Sequence, residues 1–375
     1  MTTTPAAFEA ARRRARASAM RLASRAARPT AAGLALVLTL AACSSGDQGE
    51  TGTEADASPS GTVTLVTHDS FALSDGLLAA FEEESGLTVE TVAAGDAGTL
   101  VNQLVLTKDA PLGDVVYGID NTFASRAIDA GVLQPYTPEG WADRDVPEQL
   151  GDGALTPVDL GDVCVNADTA WFESNGLALP VTLEDLAKPE YKDLLVVENP
   201  ATSSPGLAFL LATIGAFGED GFEEYWTSLA GNGVKVVDSW EDAYYVDFSG
   251  AEGGTRPLVL SYATSPAFTV TEDGSATTTT ALLDTCFRQV EYAGVLAGTD
   301  DEAGAQALVD FLLSADVQAD VPGSMYMYPA DNSIELPAEW TQFAPLAPAP
   351  FTVDPADVSA NRDEWIDRWT AATIG

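Results

Sequence analysis

The chain has 375 residues, with 57 Asp and Glu against 17 Lys and Arg and a single His, for a formal net charge of −40. So acidic a surface repels a phosphate backbone and excludes nucleic acid as a partner. The length exceeds what one single-core domain usually holds, so a compact unit of two lobes is expected.

The first residues differ from the rest. Arg12, Arg13, Arg14, Arg16, Arg21, Arg25 and Arg28 precede an apolar run from Ala31 to Ala42, closing as Leu38-Thr-Leu-Ala-Ala-Cys43. The positive segment holds the start of the chain on the cytoplasmic side, and the apolar run is too short to span a bilayer stably. Residues 1–42 therefore read as a lipoprotein signal peptide, leaving a mature protein that begins at a lipid-modified Cys43 on the outer face of the cell membrane. Cleavage removes seven basic groups and one acid, Glu9, leaving ten basic against fifty-six acidic residues. Residues 43–61 contain nothing apolar larger than Ala and form a flexible tether with a reach of about 23 Å.

Beyond the tether, Val63 to Thr67 alternates as a strand, Leu73 to Glu84 has helical spacing, Leu87 to Val92 is β-rich and Leu100 to Leu106 is helical again. Asp114 to Tyr117 reads as a third strand and Thr122 to Ala130 as a third helix, which predicts an open parallel sheet with helices on both faces. Gly161 to Val165, Leu194 to Val197, Val234 to Val237, Leu258 to Tyr262 and Phe287 to Ala293 read as strands, and Gly206 to Phe217 as an apolar helix, giving a second α/β lobe. Ala303 to Leu313 and Asn361 to Ala372 close the chain as helices, the latter with Trp365 and Trp369 one turn apart as core residues. Residues 62–161 are assigned to lobe 1, 162–285 to lobe 2, and 286–375 to a return into lobe 1 with helices packing across both.

Ligands of open α/β sheets sit beyond the carboxyl ends of strands. Those ends carry His68-Asp69-Ser70-Phe71, Gly118-Ile-Asp120-Asn121 and Ser261-Tyr262-Ala-Thr-Ser-Pro266. Ser203 and Ser204 stand before the helix that opens near Gly206, where hydroxyls and free N–H groups suit an anion or simply cap the helix. Trp240, Tyr244, Tyr245, Tyr262, Phe268, Tyr326 and Tyr328 fall at loops and strand ends, where rings with nearby carboxylates hold organic cations. Cys164 and Cys286 are the only cysteines after Cys43, and an exported chain invites a disulfide between them; two buried free thiols are the alternative.

Catalysis finds little support. A Ser-His-Asp triad would need His68, and no Gly-x-Ser-x-Gly elbow, phosphate loop, His-Glu-x-x-His or Cys-x-x-Cys occurs. No cofactor or resident metal is expected. Tyr244-Tyr245 could suit ferric iron through hard phenolate oxygens, but helical spacing puts the two rings on different faces.

Taken in order, Thr67-His-Asp-Ser-Phe-Ala72, Asp114-Val-Val-Tyr-Gly-Ile-Asp-Asn121, Thr202-Ser-Ser-Pro-Gly-Leu207, Ser239-Trp-Glu-Asp-Ala-Tyr244, Leu258-Val-Leu-Ser-Tyr-Ala-Thr-Ser-Pro-Ala267, Met327-Tyr-Pro329 and Trp365-Ile-Asp-Arg-Trp369 span most of the mature chain. This order and spacing resembles the thiamine-binding receptors of ABC importers, within the two-lobed periplasmic solute-binding proteins of type II. The resemblance implies an interlobe cleft for thiamine or its phosphate esters. Trp240, Tyr262, Phe268 and Tyr326 would surround the heterocycles, Asp69 would be an acidic contact, and Ser203 or Ser204 would lie near a phosphate. It implies a monomeric, non-enzymatic receptor with an ABC permease as partner. His68 and Phe268 stand where this family commonly has tyrosine, and Tyr326 where it has tryptophan. A ferric-iron or polyamine receptor of the same architecture, or an exported hydrolase, are the competing readings.

Overall fold

The computed structural model describes residues 61–141, 146–251 and 253–374. Residues 1–42, read as a signal peptide, Cys43 and all but the last residue of the segment read as a tether lie outside them. Strands are β1 (Gly61–Thr67), β2 (Leu87–Ala93), β3 (Val115–Asp120), β4 (Leu133–Gln134), β5 (Thr156–Asp168), β6 (Leu195–Glu198), β7 (Lys235–Val237), β8 (Leu258–Tyr262), β9 (Thr279–Ala281), β10 (Phe287–Leu296) and β11 (Tyr328–Pro329). Helices are α1 (Leu77–Ser85), α2 (Ala97–Leu106), α3 (Ala124–Ala130), α4 (Thr169–Asn175), α5 (Leu183–Leu186), α6 (Ser204–Phe217), α7 (Phe222–Gly231), α8 (Glu302–Leu312), α9 (Ala315–Ser324), α10 (Ala338–Phe343) and α11 (Pro355–Thr373).

One mixed sheet runs β2-β1-β3-β10-β5-β8-β6-β7. Each end is a parallel triplet, β2-β1-β3 and β8-β6-β7, as helical crossovers require. The middle is not parallel. β5 and β10 run antiparallel to each other and to the triplets they join. Residues from Thr156 to Val163 of β5 pair with β10 and those from Val163 to Ala167 with β8, so this 13-residue strand passes from one half of the sheet to the other.

Strand alternation sorts the apolar side chains onto two faces. Val63, Leu65, Val115 and Tyr117 face a core closed by Phe81 of α1 and Leu308 and Leu312 of α8. Val66, Val116 and Ile119 face the opposite core, with Leu100 of α2 and Leu207 of α6. The first eleven residues of α6 are all buried, which accounts for its apolar composition on every side. Trp365 and Trp369 are core residues: Trp369 packs edge-on against Trp226 at 5.6 Å, and Trp226 Nε1 donates to Thr213 at 2.9 Å.

Cys164 and Cys286 form a disulfide with Cα atoms 4.2 Å apart. Phe287 pairs with Val163, so the bridge lies one step further along the same antiparallel ladder and ties the two connecting strands together. Among the described residues no helix is long and apolar enough to cross a membrane.

Candidate ligand-binding site

The strand ends converge on a layer of rings above a layer of carboxylates. Trp240 stacks on Tyr244 at 5.0 Å and 18°, and meets Tyr245 at 5.4 Å and Tyr262 at 6.5 Å edge-on. Its indole Nε1 donates to Ser261 Oγ at 2.9 Å, and its backbone N–H donates to Asp96 Oδ2 at 3.0 Å. The ring is thereby fixed from three sides while its side chain stays partly exposed. Phe268 and Tyr326 lie face to face, with Tyr326 in the left-handed region at φ 57°. That conformation costs a bulky residue energy and is characteristic of functional sites.

Beneath the rings, five side chains share hydrogen bonds. Tyr117 donates to Asp159, and more weakly to Glu291 at 3.3 Å; Gln289 donates to Glu291 at 3.1 Å; Tyr262 donates to Gln289 at 3.2 Å. Glu291 and Asp159 are register partners on β10 and β5, and both are buried. The register of β10 against β5 slips beside Glu291, a bulge of the kind that re-aims a side chain. Two carboxylates so placed cannot both ionise cheaply. Burial, then the neighbouring Glu291 charge, holds the Asp159 carboxyl well above its usual range. Burial also pushes Glu291 up, but the neighbouring His68, together with the Tyr117 hydroxyl, outweighs it and leaves Glu291 below its usual range.

His68 is 8 % exposed and stands 3.7 Å from Glu291 through Nε2. Gly118, at φ 99°, leaves its α-carbon face open to the imidazole, and any side chain there would collide with it.

At the α6 N-terminus the chain supplies its own anions. Ser204 Oγ donates to Asp120, whose other oxygen accepts from Thr122 Oγ1 at 2.8 Å and Phe123 N–H at 3.0 Å. Burial pushes Asp120 up to about 6 despite these bonds. Asp96 Oδ1 accepts from Ala97 N–H at 2.6 Å and from Ser204 N–H at 3.3 Å. Asp96 thus caps α2 in one half of the sheet and reaches α6 and Trp240 in the other. Thr99 N–H donates to Thr202 O at 3.1 Å along the same contact.

Of the residues singled out from sequence, His68, Trp240, Tyr244 and Tyr262 enter these two layers, Asp120 and Ser204 meet at the α6 N-terminus, and Phe268 and Tyr326 pair with each other. Asp69 and Ser70 serve the loop: Asp69 accepts from Gly95 N–H at 2.9 Å, and Ser70 N–H donates to His68 Nδ1 at 3.2 Å. Ser203 is fully buried rather than open to a phosphate. Tyr244 and Tyr245 are perpendicular, and burial drives the Tyr244 phenol far above its ordinary value, which disfavours a phenolate ligand for iron. Asp96, Asp159, Gln289 and Glu291 escaped the sequence reading. Asp96 carried a signal, an Asp directly before a helical run, but in so acidic a chain it did not stand out.

Residues 110–345 match the family described as bacterial extracellular solute-binding protein, and the chain belongs to that family. It is similar to the thiamine-binding periplasmic protein of Escherichia coli (strain K12), at 30 % identity over 83 % of this chain and 93 % of that one. It is also similar to the thiamine-binding periplasmic protein of Brucella suis biovar 1, at 27 % identity over 83 % and 92 %. A solved periplasmic thiamin binding protein superposes with a TM-score of 0.74 at 28 % identity, covering 83 % of this chain and 96 % of that one. Iron-bound HitA from Pseudomonas aeruginosa shares the two-lobed fold, with a TM-score of 0.67 at 21 % identity over 84 % and 99 %.

Proposed function

We propose that this chain is an extracytoplasmic receptor that captures thiamine or one of its phosphate esters between the two halves of its sheet and delivers it to an ABC importer. The halves act as lobes, with residues 162–285 forming the second. The observation that carries the reading is Trp240, a partly exposed indole stacked on Tyr244 and held by Ser261 and Asp96, with Tyr262 beside it leading through Gln289 to the buried carboxylate of Glu291. Thiamine carries a permanent thiazolium charge, and a cation over an aromatic face with carboxylates behind it is favourably held. The names borne by the relatives support the same ligand. The cycle is capture, closure and release, with no bond made or broken. A phosphate ester would have to share Ser204 N–H with Asp96, which already occupies it. Cys43 would carry the lipid that keeps the receptor at the membrane.

Calorimetry of thiamine binding tests this. Trp240→Ala should weaken binding by about 2 kcal/mol, roughly thirtyfold, with far-UV circular dichroism unchanged. An unaltered affinity in that variant sinks the assignment.

A further inference from the structure

His68 is drawn in two directions. Its Nδ1 accepts the Ser70 N–H at 3.2 Å, which requires the neutral ring with its proton on Nε2. Its Nε2 is buried with no hydrogen-bond partner among the described residues, since Glu291 at 3.7 Å is too distant for a bond yet near enough to favour a charge. Protonation therefore costs one backbone hydrogen bond and gains a buried ion pair.

The charged and titratable groups around the ring are nearly all acids. Glu291 faces it from β10, Asp96 from the start of α2, Asp69 from its own loop, and Glu241 from the turn carrying Trp240. Tyr117 of β3 lies 5.5 Å away, ring to ring. Asp159 reaches it through Tyr117, and Tyr262 through Gln289 and Glu291. Among the described residues, no Lys or Arg is paired with Glu291. Burial alone would lower the His68 value, but Glu291 first, then Asp96 and Asp69, carry it above the ordinary 6.5.

We infer that Glu291 is the counter-ion for the positive charge of the ligand, and that protonated His68 fills this seat when the ligand is absent, so that capture exchanges an organic cation for a proton. The inference rests on the thiamine reading and adds its charge chemistry. The ligand's cation takes over the field of Glu291, the imidazolium proton leaves to solvent, and neutral His68 takes up the Ser70 bond.

The test is calorimetric titration of the full protein with thiamine at pH 6.5, the ordinary imidazole value, in two buffers of different ionisation enthalpy. Release of about one proton per ligand is expected, with affinity falling about tenfold per pH unit below the His68 value. His68→Gln should abolish the release whatever its affinity, and Glu291→Gln should lose both the release and at least about tenfold in affinity. Thiamine binding with the same enthalpy in both buffers overturns the exchange and leaves the receptor reading standing. Release that persists in His68→Gln also overturns it, moving the proton to Asp96, Glu241 or Asp159. No binding by the unaltered protein overturns both readings. Should Glu291→Gln fail to fold, the two-buffer comparison and His68→Gln still decide.

Discussion

Glu198 ends β6 wholly buried, with neither carboxylate oxygen hydrogen-bonded among the described residues. Burial, helped by the nearby Asp96 charge, pushes it well above the usual carboxylate range. A group whose value is raised on folding stabilises the fold fully below its unfolded value of 4.5, and that contribution is lost as pH rises toward the folded value. Glu198→Gln should therefore melt higher than the unaltered protein at pH 8, by about 2 °C or more, and close to it at pH 4. Equal melting temperatures at pH 8 would show that the site holds a charge without cost. Single residues were unevenly legible in the sequence. His68, Asp120 and Tyr262 could be found because they follow apolar strands, and Trp240 because a large ring in a polar stretch needs a reason. Glu198 and Glu291 could not, because an acid at the end of a strand or on its alternate face looks solvent-exposed until its neighbours are known.

At the level of elements, α2 and the approach to α6 meet more closely than side chains allow. A Cβ on Gly98 would come within 2.7 Å of the Thr202 backbone and 2.8 Å of the Phe123 ring. Gly98 sits in the first turn of α2, beside the Asp96 cap, so its missing side chain permits the approach on which Asp96 and Thr99 depend. Gly98→Val should keep the fold but hold the halves apart, weakening ligand binding by at least about tenfold with an unfolding midpoint moved far less. Retained affinity would mean that this contact is not part of closure. The helices were largely legible, because 3.6-residue periodicity marks each buried stripe. The connecting strands were not. Only Gly161 to Val165 of β5 reads as a strand, although the strand runs from Thr156 to Asp168, because Pro157 and Asp159 ahead of Gly161 resemble a turn. The strand's buried acids are tolerated inside by Tyr117, which donates to Asp159, and by Arg288, which pairs with Asp162.

Across the whole molecule, a formal charge of −40 makes self-repulsion a steady load on the compact state. Salt screens it. Raising sodium chloride from about 10 mM to about 500 mM shortens the screening length from roughly 30 Å to under 10 Å, so the melting temperature should climb by several degrees. A flat or falling curve would mean that the acids are already balanced by local pairing. The two-lobed outline followed from length and from the βα rhythm, whereas the single sheet with an antiparallel middle did not. Strand order is set by partners far apart in the chain, and no local pattern reports it.

The order of synthesis gives that middle a further meaning. β10 lies between β3 and β5, at the heart of the sheet, yet it is made only after residue 286. Until then the first parallel triplet has no neighbour on its inner side, and the strand that should adjoin β5 is missing. By leaving its keystone until late in translation, this topology puts off the joining of the two triplets until most of the chain has been made.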